Sequence, residues 1–328
     1  MNENNSFAEI AAAIQGAQRI GIACHVRPDG DAIGSILGLA LSLQLAGKTV
    51  FPLSEDGVPG NLAFLPESKT VIKSPVEPIS LDVAIALDTA TKERLGERTL
   101  LSFGTAPLLI NMDHHGTNPR YGHLNFINTK SSATAEIVYE FISNQKLPIN
   151  DAVRQNLYVG INTDTGSFQY NSTTPRTHRI VAEMMEAGLD TATLCQNIYD
   201  TQPARRLLLL RALLNEMKFS ADGRIASWAL TLATLHAAKA EAGDTENLID
   251  VLRSTEGVIA AVIFEEVPDG KIRISSRSKD TRLDVSAVCA EFGGGGHHMA
   301  AGARMRGTIQ DVEQKFLQTL TNEIKRIP

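Results

Sequence analysis

Cys24-His25-Val26-Arg27-Pro28-Asp29-Gly30-Asp31-Ala32-Ile33-Gly34-Ser35 is the stretch on which the fold turns. The run Arg19-Ile20-Gly21-Ile22-Ala23 before it reads as a short buried strand, and residues 32–46 after it read as a helix closed by Gly47. Pro28 and Gly30 make the turn between them, at the carboxyl end of a strand, where open α/β sheets place their ligands. Two carboxylates one residue apart, with an imidazole just ahead of them, either repel one another or bind a cation. The plainer alternative is local: Asp31 as the helix N-cap and Asp29 as a turn residue, both favoured roles for Asp.

The strands further along favour the cation. Residues 81–87 form a nearly continuous apolar run that ends at Asp88, and residues 107–112 form another that ends at Asp113-His114-His115. Three apolar runs thus deliver His or Asp at their carboxyl ends, and strand pairing brings those ends to one sheet edge, which capping alone does not explain. Around them the pattern predicts a strand at 49–53 and helices at 6–13, 132–144, 151–159 and 176–187, with Ser6 and Asn150 as caps. Asp164 is expected in a loop of small polar residues after the 151–159 helix, able to bend toward the same edge.

Past Gly188 the character changes. A leucine-rich helix at 203–211 reads as a connector. It is followed by a strand at 224–232, a helix at 246–255 and a hairpin (258–267 with 271–276) turning at Pro268-Asp269-Gly270. A helix then starts at Asp284 and leads to Gly293-Gly294-Gly295-Gly296-His297-His298, with a further helix expected just after the glycines. The fold class is therefore α/β: a largely parallel sheet flanked by helices over residues 1–190, a helical linker at 191–218, and a smaller α+β domain over 219–328.

Composition sets limits on function. With 328 residues and 43% hydrophobic content, the chain has enough material for two cores. A net charge of −6 argues against a long nucleic-acid duplex as partner, since duplex binding rests on a basic excess. Cys24, Cys195 and Cys289 are few and far apart, which suits a reducing compartment. The N-terminus is polar, and no segment approaches the roughly 18 apolar residues of a membrane span. A cytoplasmic protein with no membrane partner is expected.

The candidate ligands His25, Asp29, Asp31, Asp88, His114 and Asp164 offer oxygen and imidazole donors without a thiolate, a set suited to Mn²⁺ ahead of Mg²⁺ or Co²⁺. More carboxylates gather than one ion needs, and two divalent cations roughly 3.5–4 Å apart would neutralise them and make a phosphoryl-transfer site. In the second domain, Arg277, Lys279, His297 and His298 surround the glycine run with cations, a pattern suited to holding a phosphate.

His25-Val26-Arg27-Pro28-Asp29-Gly30-Asp31, Leu87-Asp88-Thr89-Ala90, Asp113-His114-His115 and Gly160-Ile161-Asn162-Thr163-Asp164-Thr165-Gly166 resemble, in order, the motifs of the DHH phosphoesterase superfamily. The run from Gly293 to Gly302, after Ser276-Arg277-Ser278, resembles the substrate motif of the DHHA1 domain, and the length is similar to that of the nanoRNase and phosphoadenosine-phosphate phosphatase group. The resemblance implies an active site in the cleft between the two domains. It implies one metal at His25, Asp29 and Asp88, and a second at Asp31, Asp88, His114 and Asp164, with Asp88 as the bridge. It further implies that His115 contacts the reacting phosphate, that Asp113 supports the histidines, and that Ser276, Arg277, Gly294, Gly295, Gly296 and His297 hold the far phosphate or nucleotide. His298 falls at a variable position of the motif. The expected reaction is attack of a metal-activated water on phosphorus, cutting very short RNA, including linear dinucleotides, to 5′-mononucleotides, or stripping 3′-phosphoadenosine 5′-phosphate to AMP. The expected partners are short RNA oligonucleotides and small nucleotides, with room left for a homodimer. The alternatives are a manganese pyrophosphatase, whose C-terminal Ser-Arg-Lys-Lys-Gln motif is not found here, a single-strand exonuclease, which needs a longer chain, and a nucleotide sensor without turnover.

Overall fold

The chain begins with α1 (Phe7–Gln15), where Ser6 and Glu9 cap each other reciprocally, and runs into β1 (Arg19–Ala23), buried from Ile20 onward. The structure, a computed structural model, describes residues 4–241 and 243–327; the first three residues of the polar N-terminal stretch lie outside the described residues. Two units are present, Met1–Thr201 and Gln202–Pro328.

In the first unit β1 is followed by α2 (Gly30–Leu45), β2 (Thr49–Ser54), β3 (Ile72–Lys73) and β4 (Val83–Leu87). Then come α3 (Glu97–Phe103), β5 (Leu108–Asp113), β6 (Leu124–Ile127) and four helices: α4 (Thr134–Asn144), α5 (Asp151–Asp164), α6 (Pro175–Glu186) and α7 (Thr191–Tyr199). The sheet order is β3-β2-β1-β4-β5-β6 and every pairing in it is parallel. All carboxyl ends therefore lie on one edge, and the order reverses direction between β1 and β4, the switch point at which such sheets bind ligands.

β4 shows why the sheet is covered on both faces. Val83, Ile85 and Leu87 join the large core beneath α2 and α5 with Ile20, Ile22 and Ile36. Ala84 and Ala86 point the other way into a smaller cluster with Leu53, Leu95 and Phe103. Each large aliphatic side chain so buried contributes about 1.5–3 kcal/mol. α2 and α5 can approach closely because Gly34 lacks a Cβ, which would lie 2.4 Å from the Asn156 carbonyl oxygen, and α5 meets α4 the same way at Gly160, where a Cβ would lie 2.6 Å from the Ala135 Cβ and 3.0 Å from Asp31 Oδ1. That contact brings α4 and Asp31 together.

The second unit holds α8 (Ala204–Glu216), β7 (Lys218–Phe219), β8 (Ile225–Leu230), α9 (Leu232–Ala238), α10 (Leu248–Arg253), β9 (Ala260–Glu266) and β10 (Lys271–Ser278). It ends with α11 (Val285–Ala290), β11 (Gly295–His297), β12 (Ala300–Arg306) and α12 (Ile309–Lys325). Its sheet, β11-β12-β10-β9-β8-β7, is antiparallel except for β8 with β9. One core joins the sheet to α11 and α12; the other joins it to α8, α9 and α10 around Trp228. The leucines of α8 that are buried, Leu209 and Leu213, belong to that Trp228 core. The helix expected directly after the glycine run is instead β12, paired along its length with β10; the helix start that does meet the hairpin is that of α11, where the Val285 N–H and the Ser286 hydroxyl donate to the carbonyls of His298 and Gly296.

Candidate metal centre

His25 leaves β1 with its ring oriented by its own neighbourhood. A carbonyl oxygen can only accept, so the 2.9 Å contact of Nδ1 with the Val26 oxygen makes Nδ1 the N–H donor and turns the Nε2 lone pair outward. Nε2 faces Asp88 Oδ2 at 3.3 Å and Asp29 Oδ2 at 3.7 Å. Those separations exceed an ordinary N–H···O bond and suit donors that share one cation.

The local alternative for the two aspartates of the opening turn, Asp31 as the cap of the helix and Asp29 as a turn residue, is not what forms. Asp29, rather than Asp31, is the N-cap of α2: its Oδ1 accepts the Ala32 N–H at 3.0 Å, leaving Oδ2 for His25. Asp31 lies inside the first turn, 1% exposed, and reaches across to α4, where it accepts the N–H of Thr134 at 2.7 Å and of Ala135 at 2.8 Å. Ala133, at the N-cap position of α4, has no capping side chain of its own, so Asp31 caps that helix from another element.

Asp88 follows β4 with φ +52°, a left-handed conformation that Asp tolerates better than most residues. The Thr134 hydroxyl donates to its Oδ1 at 3.1 Å. His114 Nε2 stands 3.6 Å from Asp88 Oδ1 and 3.5 Å from Asp164 Oδ2. Asp164 is the last residue of α5, not part of a loop: the helix runs one turn further than its small polar residues suggest, and its end brings the carboxylate to the sheet edge. Asp113, fully buried, accepts His115 Nδ1–H at 2.7 Å and the His114 backbone N–H at 2.9 Å, both on Oδ1. Candidate ligand atoms lie within 4.8 Å of one another in the sets His25–Asp29–Asp88, Asp31–His114–Asp164 and Asp88–Asp113–His115.

The electrostatics describe a site short of positive charge. Burial pulls the His25 imidazole down, but Asp29 and Asp88 outweigh it and push it up to about 10. His114 is likewise raised, against burial, by Asp88 and Asp31. Burial raises Asp31, and Asp88 and Asp164 raise it further; burial with Asp29 and Asp88 does the same to Asp164. Burial also works against ionised Asp88 and Asp29, yet His25 holds both carboxyls below their usual range. Protons are drawn in where two imidazoles meet four carboxylates, and divalent cations fit the same need. Cys24, next to His25 in sequence, packs instead into the apolar core, and burial pushes its thiol well up.

In the second unit, strand register decides what stands together. Arg277 pairs with Ala300, which pairs with His297; the next row on that face is Ser275, Gly302 and Gly295. Arg277 is half-buried and donates to the Ser276 carbonyl at 3.1 Å. Ser276 itself points to the opposite, core face beside Val262 and Ala301, fully buried, with no hydrogen-bond partner for its hydroxyl. Gly294 sits at the entry to the hairpin, its N–H on the Cys289 carbonyl, and the Gly296 carbonyl accepts from the Ser286 hydroxyl. His298 is engaged locally, with Nε2 on the Thr281 carbonyl at 2.8 Å and Nδ1 3.4 Å from Asp284.

Three contributors were missed in the sequence. Thr134, which reaches Asp88 from α4, Ser35, which donates to Asp31 Oδ1 at 3.1 Å from one turn further along α2, and Asn118, which donates to Asp113 Oδ2 at 2.6 Å, all hold carboxylates of the candidate site by hydrogen bonds. Ser35 and Asn118 left a local signal, Ser35 one helical turn after Asp31 in the opening stretch and Asn118 as a polar residue in the short loop that follows the Asp-His-His triplet; Thr134 left none.

Comparison with known proteins bears on the same residues. The model of the DHH family N-terminal domain matches residues 19–161, and that of the DHHA1 domain matches residues 229–326. A Thermus thermophilus protein named bifunctional oligoribonuclease and PAP phosphatase NrnA is 32% identical over 97% of this chain and 94% of its own length. The chain belongs to the DHH family. It is a phosphoester-hydrolysing enzyme of the kind that joins a DHH domain to a DHHA1 domain. A Bacillus subtilis protein of the same name is 28% identical over 85% of this chain and 87% of its own length. Among solved structures, an exopolyphosphatase-related protein from Bacteroides fragilis superposes with a TM-score of 0.86 at 27% identity, covering 96% of this chain and 95% of that one. The DHH fold read from the motif order stands, and the residues expected to hold divalent metal lie in groups that could hold one. No helix among the described residues is long and apolar enough to cross a membrane.

Proposed function

We propose that the enzyme hydrolyses very short oligoribonucleotides, linear dinucleotides among them, to 5′-mononucleotides, and removes the 3′-phosphate of 3′-phosphoadenosine 5′-phosphate. The observation that carries the reading is the convergence on Asp88: donors from β1, α2, β5 and α5 surround it with nitrogen and oxygen ligands, as phosphoryl transfer with two divalent ions requires. The relatives' names supply the substrate class.

His25, Asp29 and Asp88 would hold one ion, and Asp31, Asp88, His114 and Asp164 the other, with Mn²⁺ favoured by the mixed imidazole and carboxylate set. When bound, the ions supply Lewis acidity toward a phosphoryl oxygen and acidify water. The remaining work falls to the chain. Asp29 and Asp31 are fixed by the backbone amides of α2 and α4, so they need no reorganisation as charge develops on phosphorus. His115, with Nδ1–H fixed on Asp113, presents Nε2 to the reacting phosphate. Arg277, the Gly294–Gly296 backbone and His297 hold the substrate's other phosphate, and Ser276 serves through the carbonyl that orients the Arg277 guanidinium. With a net charge of −6 and only 5% aromatic residues, longer strands gain no further purchase. Three free cysteines suit work in the cytoplasm.

The test is one purified, Mn²⁺-loaded sample assayed on dinucleotides, a 24-mer RNA, phosphoadenosine phosphate and inorganic pyrophosphate. Release of mononucleotide from dinucleotides, with the 24-mer hydrolysed far more slowly, is expected. Turnover of pyrophosphate alone, equal cutting of the 24-mer, or nucleotide binding without turnover would each overturn the reading in favour of a different enzyme or of a sensor.

A further inference from the structure

We infer that Asn118 is a positioning residue that sets the orientation of His115 by fixing the far oxygen of Asp113. The inference rests on the role proposed above for His115 and adds a residue outside the motifs.

Asp113 is fully buried at the end of β5, and its two oxygens are used unequally. Oδ1 takes both histidine donors, His115 Nδ1–H at 2.7 Å and the His114 backbone N–H at 2.9 Å. Oδ2 takes Asn118 Nδ2–H at 2.6 Å. The amide of Asn118 can be oriented only one way. Its Oδ1 accepts the Arg120 N–H at 2.7 Å, and its Nδ2 faces three acceptors: Asp113 Oδ2, Asn111 Oδ1 at 2.8 Å and the Thr89 carbonyl at 3.2 Å.

Those acceptors are anchored in turn. Asn111, fully buried in β5, donates to the Ala86 carbonyl of β4 at 3.3 Å and to the Tyr121 hydroxyl at 3.2 Å, and Tyr121 donates to the Thr89 carbonyl at 3.1 Å. Asn118 thus ties the Asp113 carboxylate to two parallel strands. Thr89 lies directly after Asp88, so the same amide links the segment that carries the central carboxylate to the one that supports His115.

Without the Asn118 donor, Asp113 Oδ2 is left in a dry place with no hydrogen bond, which is costly for a carboxylate. The carboxylate relieves that cost by rotating toward the remaining donors, and the short bond that fixes the His115 ring is the one it disturbs. None of the six candidate metal ligands hydrogen-bonds to Asn118 among the described residues, so metal occupancy is expected to survive.

The experiment is a double-mutant cycle on the full chain with Mn²⁺ present, using Asn118→Ala, His115→Ala and the pair, read by kcat, KM, bound manganese and melting temperature. Asn118→Ala is expected to lower kcat by roughly 10–100-fold, the usual cost of losing a group that orients a functional side chain, with KM within about twofold and manganese content unchanged. In the His115→Ala background the same substitution is expected to change kcat by less than about twofold, because a residue acting through His115 has nothing left to position. Asn118→Ser, which keeps a donor, is expected to recover part of the loss; it also carries the cycle should the alanine variant not fold. Equal losses in both backgrounds, or a loss of manganese in step with kcat, overturn the inference. His115→Ala with wild-type kcat overturns instead the role given to His115, a result the cycle reports separately.

Discussion

The two units use their residues in opposite ways. In the first, the candidate chemistry is carried by side chains whose orientation is set by backbone groups: Asp29 by the first turn of α2, Asp31 by that of α4, His25 by its neighbouring carbonyl. In the second, the candidate chemistry depends on where backbone lies: a half-buried arginine, an exposed histidine and three glycines brought into rows by strand register. A site of the first kind is sensitive to single-atom changes of charge and tolerates little substitution. A site of the second kind keeps its charge under most substitutions and is sensitive to any added Cβ.

The largest effect separating the two should come from Asp88→Asn. Asn tolerates the left-handed backbone at φ +52° as Asp does, so the fold is expected to persist. Loss of the carboxylate that His25 and His114 both face should abolish turnover by on the order of 10³-fold or more and reduce bound metal. Wild-type activity at saturating Mn²⁺ would remove Asp88 from the centre of the site.

Metal addition sharpens the same contrast. Mn²⁺ at about 100 times its dissociation constant should stabilise the unit that binds it by about 2.7 kcal/mol, a rise of about 5–10 °C in its melting. The protein's single tryptophan, Trp228, lies in the core of the other unit. Melting followed by far-ultraviolet circular dichroism should therefore move more than melting followed by Trp228 fluorescence. Equal shifts by both probes would show that the two units melt together and share the effect.

That contrast also explains what the sequence revealed and what it hid. The candidate ligands other than Asp164 were legible because each ends an apolar run or sits at a fixed offset after one, as Asp88 and His114 do. The division of labour between Asp29 and Asp31 was not, because both residues suit a cap and the choice depends on α4, a hundred residues away. Asp164 looked like a loop residue because Gly160-Ile161-Asn162-Thr163 is a weak helix former in isolation. Packing against α2 and α4 at Gly160 overrides that preference. β6 was missed because it is four residues at the sheet edge. The strand after the glycines was misread because Ala300-Ala301-Gly302-Ala303 has alanine's helical preference, whereas its small side chains are what let β11, β12 and β10 pack as one sheet.

In the second unit, Arg277→Ala tests the charge within the register-built site. Loss of a charge-assisted contact to phosphate should lower kcat/KM for a dinucleotide by about 1.5–3 kcal/mol, roughly 10–150-fold, with bound metal unchanged. Loss of metal along with activity would mean that Arg277 acts on the first unit's site, and an equally small effect on dimer and 24-mer would remove it from substrate binding.

The glycines give the smallest effect and the sharpest separation. Gly296 has φ +145°, and a Cβ there would stand 2.6 Å from the Ala300 carbonyl oxygen and 2.7 Å from the Ala301 Cα, both backbone atoms that cannot step aside. Gly296→Ala therefore strains the hairpin itself and should lower stability by about 1–3 kcal/mol, with any loss of activity following from the displaced His297. Gly295 differs by one position. A Cβ there meets nothing within 4 Å, and it projects on the face shared by Arg277 and His297. Gly295→Ala should leave the melting temperature unchanged while raising KM for a dinucleotide by roughly fivefold, about 1 kcal/mol, because the added methyl takes the space through which the substrate approaches the backbone. A rise in KM without a change in melting would make the backbone at Gly295 a contact surface. Unchanged KM would reduce the glycine run to a requirement of hairpin geometry at Gly296 and leave anion binding in this unit to Arg277 and His297.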